Sequence, residues 1–392
     1  MLTRNRTSWL LVAPLLILIL AGFVVPIAIS VMRAVQNPEI ATALPRTALA
    51  LKSWDGSGLP PEPVYAALAG DMQAKDVAQA FGAMTRRVNF ETTGMRSVLS
   101  KTRNRADTLA PPYAESLPAL DAAWADAATW RILKQHSGRF TATYLLRALD
   151  LRYSDTGEIV AVGKEQAIFV QTFIRTFVMS LCVTAITLIL GYPTAWFMST
   201  LKGRAAMIAM LCVLVPFWIS ILVRSTVWFI VLQREGVLNG ALLKLGLIDQ
   251  PQAIIFTRPA VYIAMVHVLL PFFILPLLGV MTRIRGDYVR AAASMGARPW
   301  QQFLYIYLPL TMPGVSAGAL IVFMLSVGFY ITPALVGGLR DQMIGYYIDY
   351  FSNNTINLGM AAALSTLLLI FTVLLLAVAG RLLPSISKSG RS

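Results

Sequence analysis

The chain has 392 residues, 57% of them hydrophobic and 13% charged, with a mean hydropathy of +0.65. The charged share is about half that of an ordinary soluble domain. These values exclude a soluble enzyme, a disordered protein and a nucleic-acid-binding module, and they point to several membrane spans. The formal net charge is +14, but residues 166–392 hold 15 basic and 5 acidic side chains while residues 33–165 hold 16 and 14. The excess therefore lies in the apolar part, where lysine and arginine report orientation rather than an anionic ligand.

Six apolar stretches are long enough to cross a bilayer: 9–32, 177–198, 205–232, 260–281, 314–336 and 358–383. The first carries Arg4 and Arg6 ahead of it and a weak Ala28-Ile29-Ser30 cleavage pattern, yet it is too long for a signal-peptide core and reads as a retained span. Pro216 predicts a break or tilt in the third stretch, and Pro271 with Pro276 a kink in the fourth. One set of short connections and ends holds Arg4, Arg6, Lys202, Arg204, Arg283, Arg285, Arg290, Arg298, Arg381, Lys388 and Arg391. The opposite loops hold Arg234, Lys244, Arg258 and Arg340. This asymmetry places both termini, including the tail 384–392, in the cytoplasm, and residues 33–165 outside it.

Residues 33–165 are soluble-like. Pro60, Pro61 and Pro63 mark one turn, and Pro111 with Pro112 another. Val77, Phe81, Met84 and Val88 recur at helical spacing, as do Leu117, Leu120, Trp124, Ala127 and Trp130. The segment is expected to form a small helical domain, with Trp124 and Trp130 in its core or at the membrane interface. His136 has no partner at metal-ligand spacing and reads as an ordinary exposed histidine.

No catalytic or nucleotide-binding device is recognisable. Gly163-Lys164 is followed by Glu165 and lacks the glycine spacing of a phosphate-binding loop. Cys182 and Cys212 lie in apolar runs, which excludes a disulfide scaffold and a cysteine metal site. The span interiors hold no Asp or Glu, and His267 stands alone there, which disfavours proton-coupled transport.

The connection between the fourth and fifth stretches is long. Good helix formers from Tyr288 to Met295 end at Gly296, and Pro299 opens a second short helix. Ala291 and Ala292 are small enough to let another protein approach, and Pro309 with Pro313 is expected to end this element and start the fifth span. The spacing Ala291-Ala292, three residues, Gly296, nine residues, Ile306-Tyr307-Leu308-Pro309 resembles the "EAA" signature of inner-membrane permease subunits of ATP-binding-cassette importers. Arg290 stands where that family usually has glutamate. Leu222-Val223-Arg224-Ser225 with Trp228, the run from Arg234 to Asn239, Leu245 to Ile248, and the run from Gly328 to Gly338 are similar to motifs of the spermidine/putrescine permease group. Within the last run, Phe329 replaces a residue that is often Asp.

The resemblance implies an all-α polytopic protein with six transmembrane helices, the type I importer permease fold, carrying the periplasmic insertion 33–165 and a five-helix core 166–383. It implies that loop 282–310 couples to the ATPase through Arg290, Ala291, Ala292, Ser294, Met295, Gly296, Ile306, Leu308 and Pro309. It further implies two ATP-binding subunits, a second homologous permease, a periplasmic solute-binding protein and a bacterial inner-membrane setting among lipid. ATP and magnesium would sit on the partner, with no cofactor, metal or catalysis in this chain. Polyamines are the expected cargo, with an opine or aminophosphonate as the alternative, and a stand-alone carrier or a membrane sensor as rival classes.

Polar residues within spans are the pathway candidates: Arg224, Trp228 and His267, with Phe329 and Tyr330 in the fifth stretch and Asp349 beyond it. Arg224 reads equally as snorkelling, and His267 as bonded to a neighbouring helix. Tyr346 to Phe351 surrounds Asp349 with aromatic rings, which suits a polyammonium through cation–π contact and one ion pair, or else an interfacial belt.

Overall fold

The computed structural model describes residues 12–74, 78–154 and 157–382. Arg4, Arg6, Trp9, Val77, Leu383, Lys388, Arg391 and the tail 384–392 lie outside the described residues. The chain forms two compact units: residues 1–170 with 348–392, and residues 171–347. Both are mainly helical.

Five helices are long and apolar enough to cross a membrane: Val12–Arg33, Phe169–Thr200, Arg258–Met281, Pro299–Val327 and Leu358–Val378. A sixth crossing exists only if Gly203–Trp218 and Ile221–Val231 count together, because they meet at 100°. The predicted third span is therefore not straight. Its 16 and 11 residues make pieces of about 24 and 17 Å, each short of the ~30 Å apolar core. Pro216 lies in the last turn of the first piece, Ile219 is extended, and the Ser220 hydroxyl caps the second piece by accepting from Val223 N–H at 3.2 Å. By contrast, Arg258–Met281 stays a single helix through both Pro271 and Pro276.

The fifth span is displaced toward the N-terminus from the predicted 314–336. Its helix begins at Pro299, crosses Pro309 and Pro313, and ends at Val327. Pro309 has no N–H to give the residue four back. The preceding turn, Phe303–Tyr307, is wound as π-helix, with Leu308 N–H reaching the Phe303 carbonyl. The prolines are thus absorbed by a wider turn, and the helix does not stop there. Ile331–Val336, expected inside this span, is a separate short helix after Gly328.

In the second unit, helices Arg258–Met281 and Pro299–Val327 pack along their lengths. Gly314 and Gly318 allow this: a Cβ at Gly314 would lie 3.0 Å from Leu277 Cα, and one at Gly318 would lie 2.9 Å from both the Phe273 carbonyl and its ring. Gly191 receives the same ring from the other side, its would-be Cβ 2.5 Å from Phe273 Cδ1. Small residues replace the missing hydrophobic drive between membrane helices with close van der Waals contact. Gly328 plays no such part; it caps its helix, with nothing nearer than 3.7 Å to a would-be Cβ.

The first unit gathers the insertion with the first and last long helices. No side chain of Val12–Arg33 is buried in this chain. A helix apolar on every side and uncovered is a lipid or subunit surface. The insertion has its own core. Trp124 and Trp130 are fully buried with ring centroids 5.2 Å apart, and Tyr65 meets Trp130 edge-on at 4.6 Å. Each polar tip is satisfied: Trp124 Nε1 donates to Thr102 Oγ1 at 2.9 Å and Trp130 Nε1 to the Trp124 carbonyl at 3.0 Å. The pattern from Leu117 to Trp130 is not one helix. Asp121 ends Tyr113–Leu120, and Asp126 caps Ala127–His136 by accepting from Ala128 N–H. A short hairpin, Leu151–Tyr153 with Ile159–Ala161, adds the strands that the sequence pattern did not show.

His136 is buried, not exposed. Its Nδ1 lies 3.2 Å from Arg87 Nη2, while Arg87 also pairs with Glu91 and donates to Asn37, and Glu91 pairs with Arg147. Burial first, and then the Arg87 guanidinium, bring its pKa down from 6.5 to about 4. Burial pushes Glu91 up, but Arg87, His136 and Arg147 outweigh it and hold the carboxyl below its usual range.

The unfolded imidazole takes a proton near 6.5, whereas the folded one refuses it until about 4. Stability from this group is therefore full above 6.5 and disappears as pH falls to 4, a loss of about 3 kcal/mol at most. Protection of the Ala127–His136 amides, taken relative to their intrinsic exchange at each pH, is expected to fall across that window, and His136→Gln to flatten the dependence. An unchanged pH profile in His136→Gln would contradict this.

Candidate functional site

The connection 282–310 is built by local rules. Helix Asp287–Ser294 ends with Gly296 at φ +83°, where Gly296 N–H donates to Ala293 O and Ala297 N–H to Ala292 O. This is a glycine-terminated helix stop. Arg298 N–H then donates to Gln301 Oε1 at 2.8 Å, and Pro299 starts the next helix.

The two helices expose Tyr288, Ala291, Met295, Gly296 and Trp300, with Met295 at 81% exposure. Ala292 turns the other way and is 1% exposed, so of the Ala291-Ala292 pair Ala291 alone faces outward. Ser294 Oγ donates back to the Arg290 carbonyl. Ile306 is half-buried in the π turn, and Leu308 and Pro309 open the long helix behind it.

Arg290 is exposed and pairs with Asp287 at 2.5 Å, one turn earlier, and the same carboxylate binds Arg285 at 3.1 Å. Hydrogen bonds from Arg290, and then from Arg285, hold the Asp287 carboxyl below its usual range. Solvent screens so exposed a group, so its pairing orients the arginines rather than stabilising the fold.

Three pathway candidates meet on one face. Trp228 Nε1 donates to His267 Nδ1 at 3.1 Å, with ring centroids 5.3 Å apart. Arg224 precedes Trp228 by four residues on the same helix, hence on the same side. Its Nε and Nη1 are buried and without a partner among the described residues. His267 points outward from this chain, between buried Val266 and Val268.

The other candidates are elsewhere. Phe329 is buried in the core of the second unit, in the same hydrophobic cluster as Phe273 and Val322, so it lines no open surface of this chain. Tyr330 is half-buried and stands at the start of Ile331–Val336. Asp349 belongs to the first unit and accepts from Asn353 Nδ2 at 2.7 Å. Arg175 donates to the Gln342 carbonyl at 3.1 Å.

Sequence reasoning missed two links. Ser225 and Thr332 share a hydrogen bond of 2.8 Å that ties Ile221–Val231 to Ile331–Val336, and Arg258 pairs with Asp341 at 2.9 Å. Hydroxyls are common in membrane helices, and partners 107 and 83 residues apart leave no local signal.

Residues 172–388 match the family of binding-protein-dependent transport system inner membrane components. The chain belongs to that family. It is 36% identical over 211 residues to the spermidine/putrescine transport system permease protein PotB of Escherichia coli, covering 54% of this chain and 77% of that one. It is 34% identical over 227 residues to the inner membrane ABC transporter permease protein YdcU of E. coli, covering 53% and 70%. A chain of a bacterial alginate ABC transporter overlaps at a TM-score of 0.44 and 19% identity over 56% of this chain and 81% of its own, too loosely to compare residues.

This is a permease subunit of an ABC importer, a multi-pass membrane protein whose role is transport rather than catalysis. The carrier and sensor alternatives end with that membership.

Proposed function

We propose that this chain forms half of the pathway by which a polyamine enters a bacterial cell across the inner membrane. A second, homologous permease supplies the other half, and two ATP-binding subunits hold the ATP and magnesium. A periplasmic protein delivers the solute, and both termini of this chain are cytoplasmic. Residues 282–310 are the docking element for an ATP-binding subunit. The observation that carries this reading is the exposed two-helix turn closed by Gly296 at φ +83°. The similarity to PotB supports the cargo.

ATP binding must favour one state of the permease for uptake to be driven. The rigid link from the loop into helix Pro299–Val327 supplies a lever: movement at Trp300 is movement of the span. His267 faces out of this chain with the half-buried Trp228 beside it, so the wall opposite them belongs to the other permease. Replacing Trp228 by Phe removes the donor that fixes the imidazole. It is expected to raise the half-saturation concentration of uptake about fivefold, the equivalent of one hydrogen bond of about 1 kcal/mol, with the maximal rate held. An unchanged half-saturation would remove Trp228 from the pathway.

A second reading has one specific support. The spans hold no acid, whereas Arg224 carries guanidinium nitrogens without a partner among the described residues. That suits a cargo bearing an acidic group, such as an opine or aminophosphonate. The deciding experiment is gentle purification from native membranes, followed by uptake of labelled putrescine and spermidine. Co-purification of an ATP-binding subunit and a second permease, with saturable polyamine uptake, is the expected result. Complex without polyamine uptake, but with uptake of an aminophosphonate, replaces the cargo. A chain that purifies only with itself defeats the docking assignment.

A further inference from the structure

The insertion and the approach to the last helix line a half-open cavity of about 540 Å³. All its walls belong to the first unit. One wall carries Arg86 and Arg96, both exposed and neither paired with an acid among the described residues. Opposite in charge is Glu39, whose Oε2 is buried and without a partner among the described residues. The third wall is the approach to the last long helix. Tyr350–Asn354 is wound as π-helix, and Ile356 follows at φ +53° with its side chain 57% exposed. A β-branched residue in the left-handed region is strained, and strain of this kind collects at binding sites. Ile356 and Leu358 are both exposed and form an apolar rim at the start of a membrane helix.

We propose that this cavity binds the head group of an ethanolamine phospholipid. Arg86 and Arg96 take the phosphate, Glu39 takes the ammonium, and the acyl chains leave over Ile356 and Leu358 along the last helix. A carboxylate distinguishes this from a site for any anionic lipid, since only a zwitterion uses both signs of charge, and the unpartnered Glu39 Oε2 needs an N–H donor that ethanolamine has and choline lacks. The apolar rim distinguishes it from a site for a free solute.

The test uses the whole transporter complex in nanodiscs of phosphatidylcholine, with either phosphatidylethanolamine or phosphatidylglycerol added at equal fraction. Retained lipid is read by native mass spectrometry. The wild type is expected to retain phosphatidylethanolamine at least threefold over either other lipid. Arg86→Gln with Arg96→Gln should lower that retention about tenfold, and Glu39→Gln should abolish the preference over phosphatidylglycerol. Tryptophan fluorescence of the buried Trp124 and Trp130 checks that each variant keeps its fold, and a variant that fails it is replaced by Arg86→Lys or Glu39→Asp. Equal retention of all three lipids by the wild type overturns the proposal. So does retention unchanged in the arginine variant. Binding of soluble glycerophosphoethanolamine as tight as that of the lipid overturns the membrane source and leaves a free-solute site.

Discussion

Gly296→Arg is expected to reduce uptake below a tenth of wild type while the protein stays in the membrane at normal abundance. Nothing lies within 4 Å of a would-be Cβ at Gly296, so the substitution meets no clash inside the chain. Its internal cost is the φ of +83°, about 1–2 kcal/mol for a residue with a Cβ. That is too little to unfold a helix pair held by Pro299–Val327. Gly296→Ala isolates this conformational cost, and uptake there should fall only a few-fold. If the turn docks on an ATP-binding subunit, as proposed above, the difference between the two variants is the steric and charge cost of that docking. Uptake of labelled solute, normalised to membrane abundance by immunoblot, reads both. Normal uptake in Gly296→Arg would remove the turn from the coupling surface.

Gly318→Leu should cost more in the folded chain itself. Its Cβ would lie 2.9 Å from the Phe273 carbonyl and 3.3 Å from its Cα, and backbone cannot step aside. Overpacking of this kind costs about 1–3 kcal/mol, here taken as separation of the two longest-packed helices. Lower detergent melting temperature and a loss of uptake are expected together. Gly191→Val provides the contrast, because its obstacles are side-chain atoms, mainly the Phe273 ring. Phe273→Ala should partly rescue Gly191→Val and leave Gly318→Leu unrescued. Equal rescue of both would show that the Gly318 contact is side-chain packing after all.

The two-helix turn of the connection 282–310 was legible because each of its signals is local. Good helix formers, a glycine stop and a proline start lie within a dozen residues, and the folded chain uses each of them. Trp228 and His267 were each nominated as polar groups in apolar runs, but not as partners, since 39 residues separate them. Phe329 was nominated by position in a motif, and burial places it in the core. The sign of charge at Arg290 was visible, but its pairing with Asp287 depended on the helix placing the two one turn apart.

Hydropathy by itself determined that this is a multi-span membrane protein, because about 20 apolar residues have no other stable home. The local spacing from Ala291 to Pro309 likewise announced its family. The path of the chain through its prolines was decided only in three dimensions. Pro216 is followed by a 100° bend, Pro271 and Pro276 leave a helix whole, and Pro309 is absorbed in a π turn. A proline removes one N–H wherever it stands. Whether the helix breaks depends on whether neighbouring helices and wider turns satisfy the carbonyl left behind, and those neighbours come from distant sequence. The same holds for His136, which composition left exposed and which tertiary packing buries against Arg87.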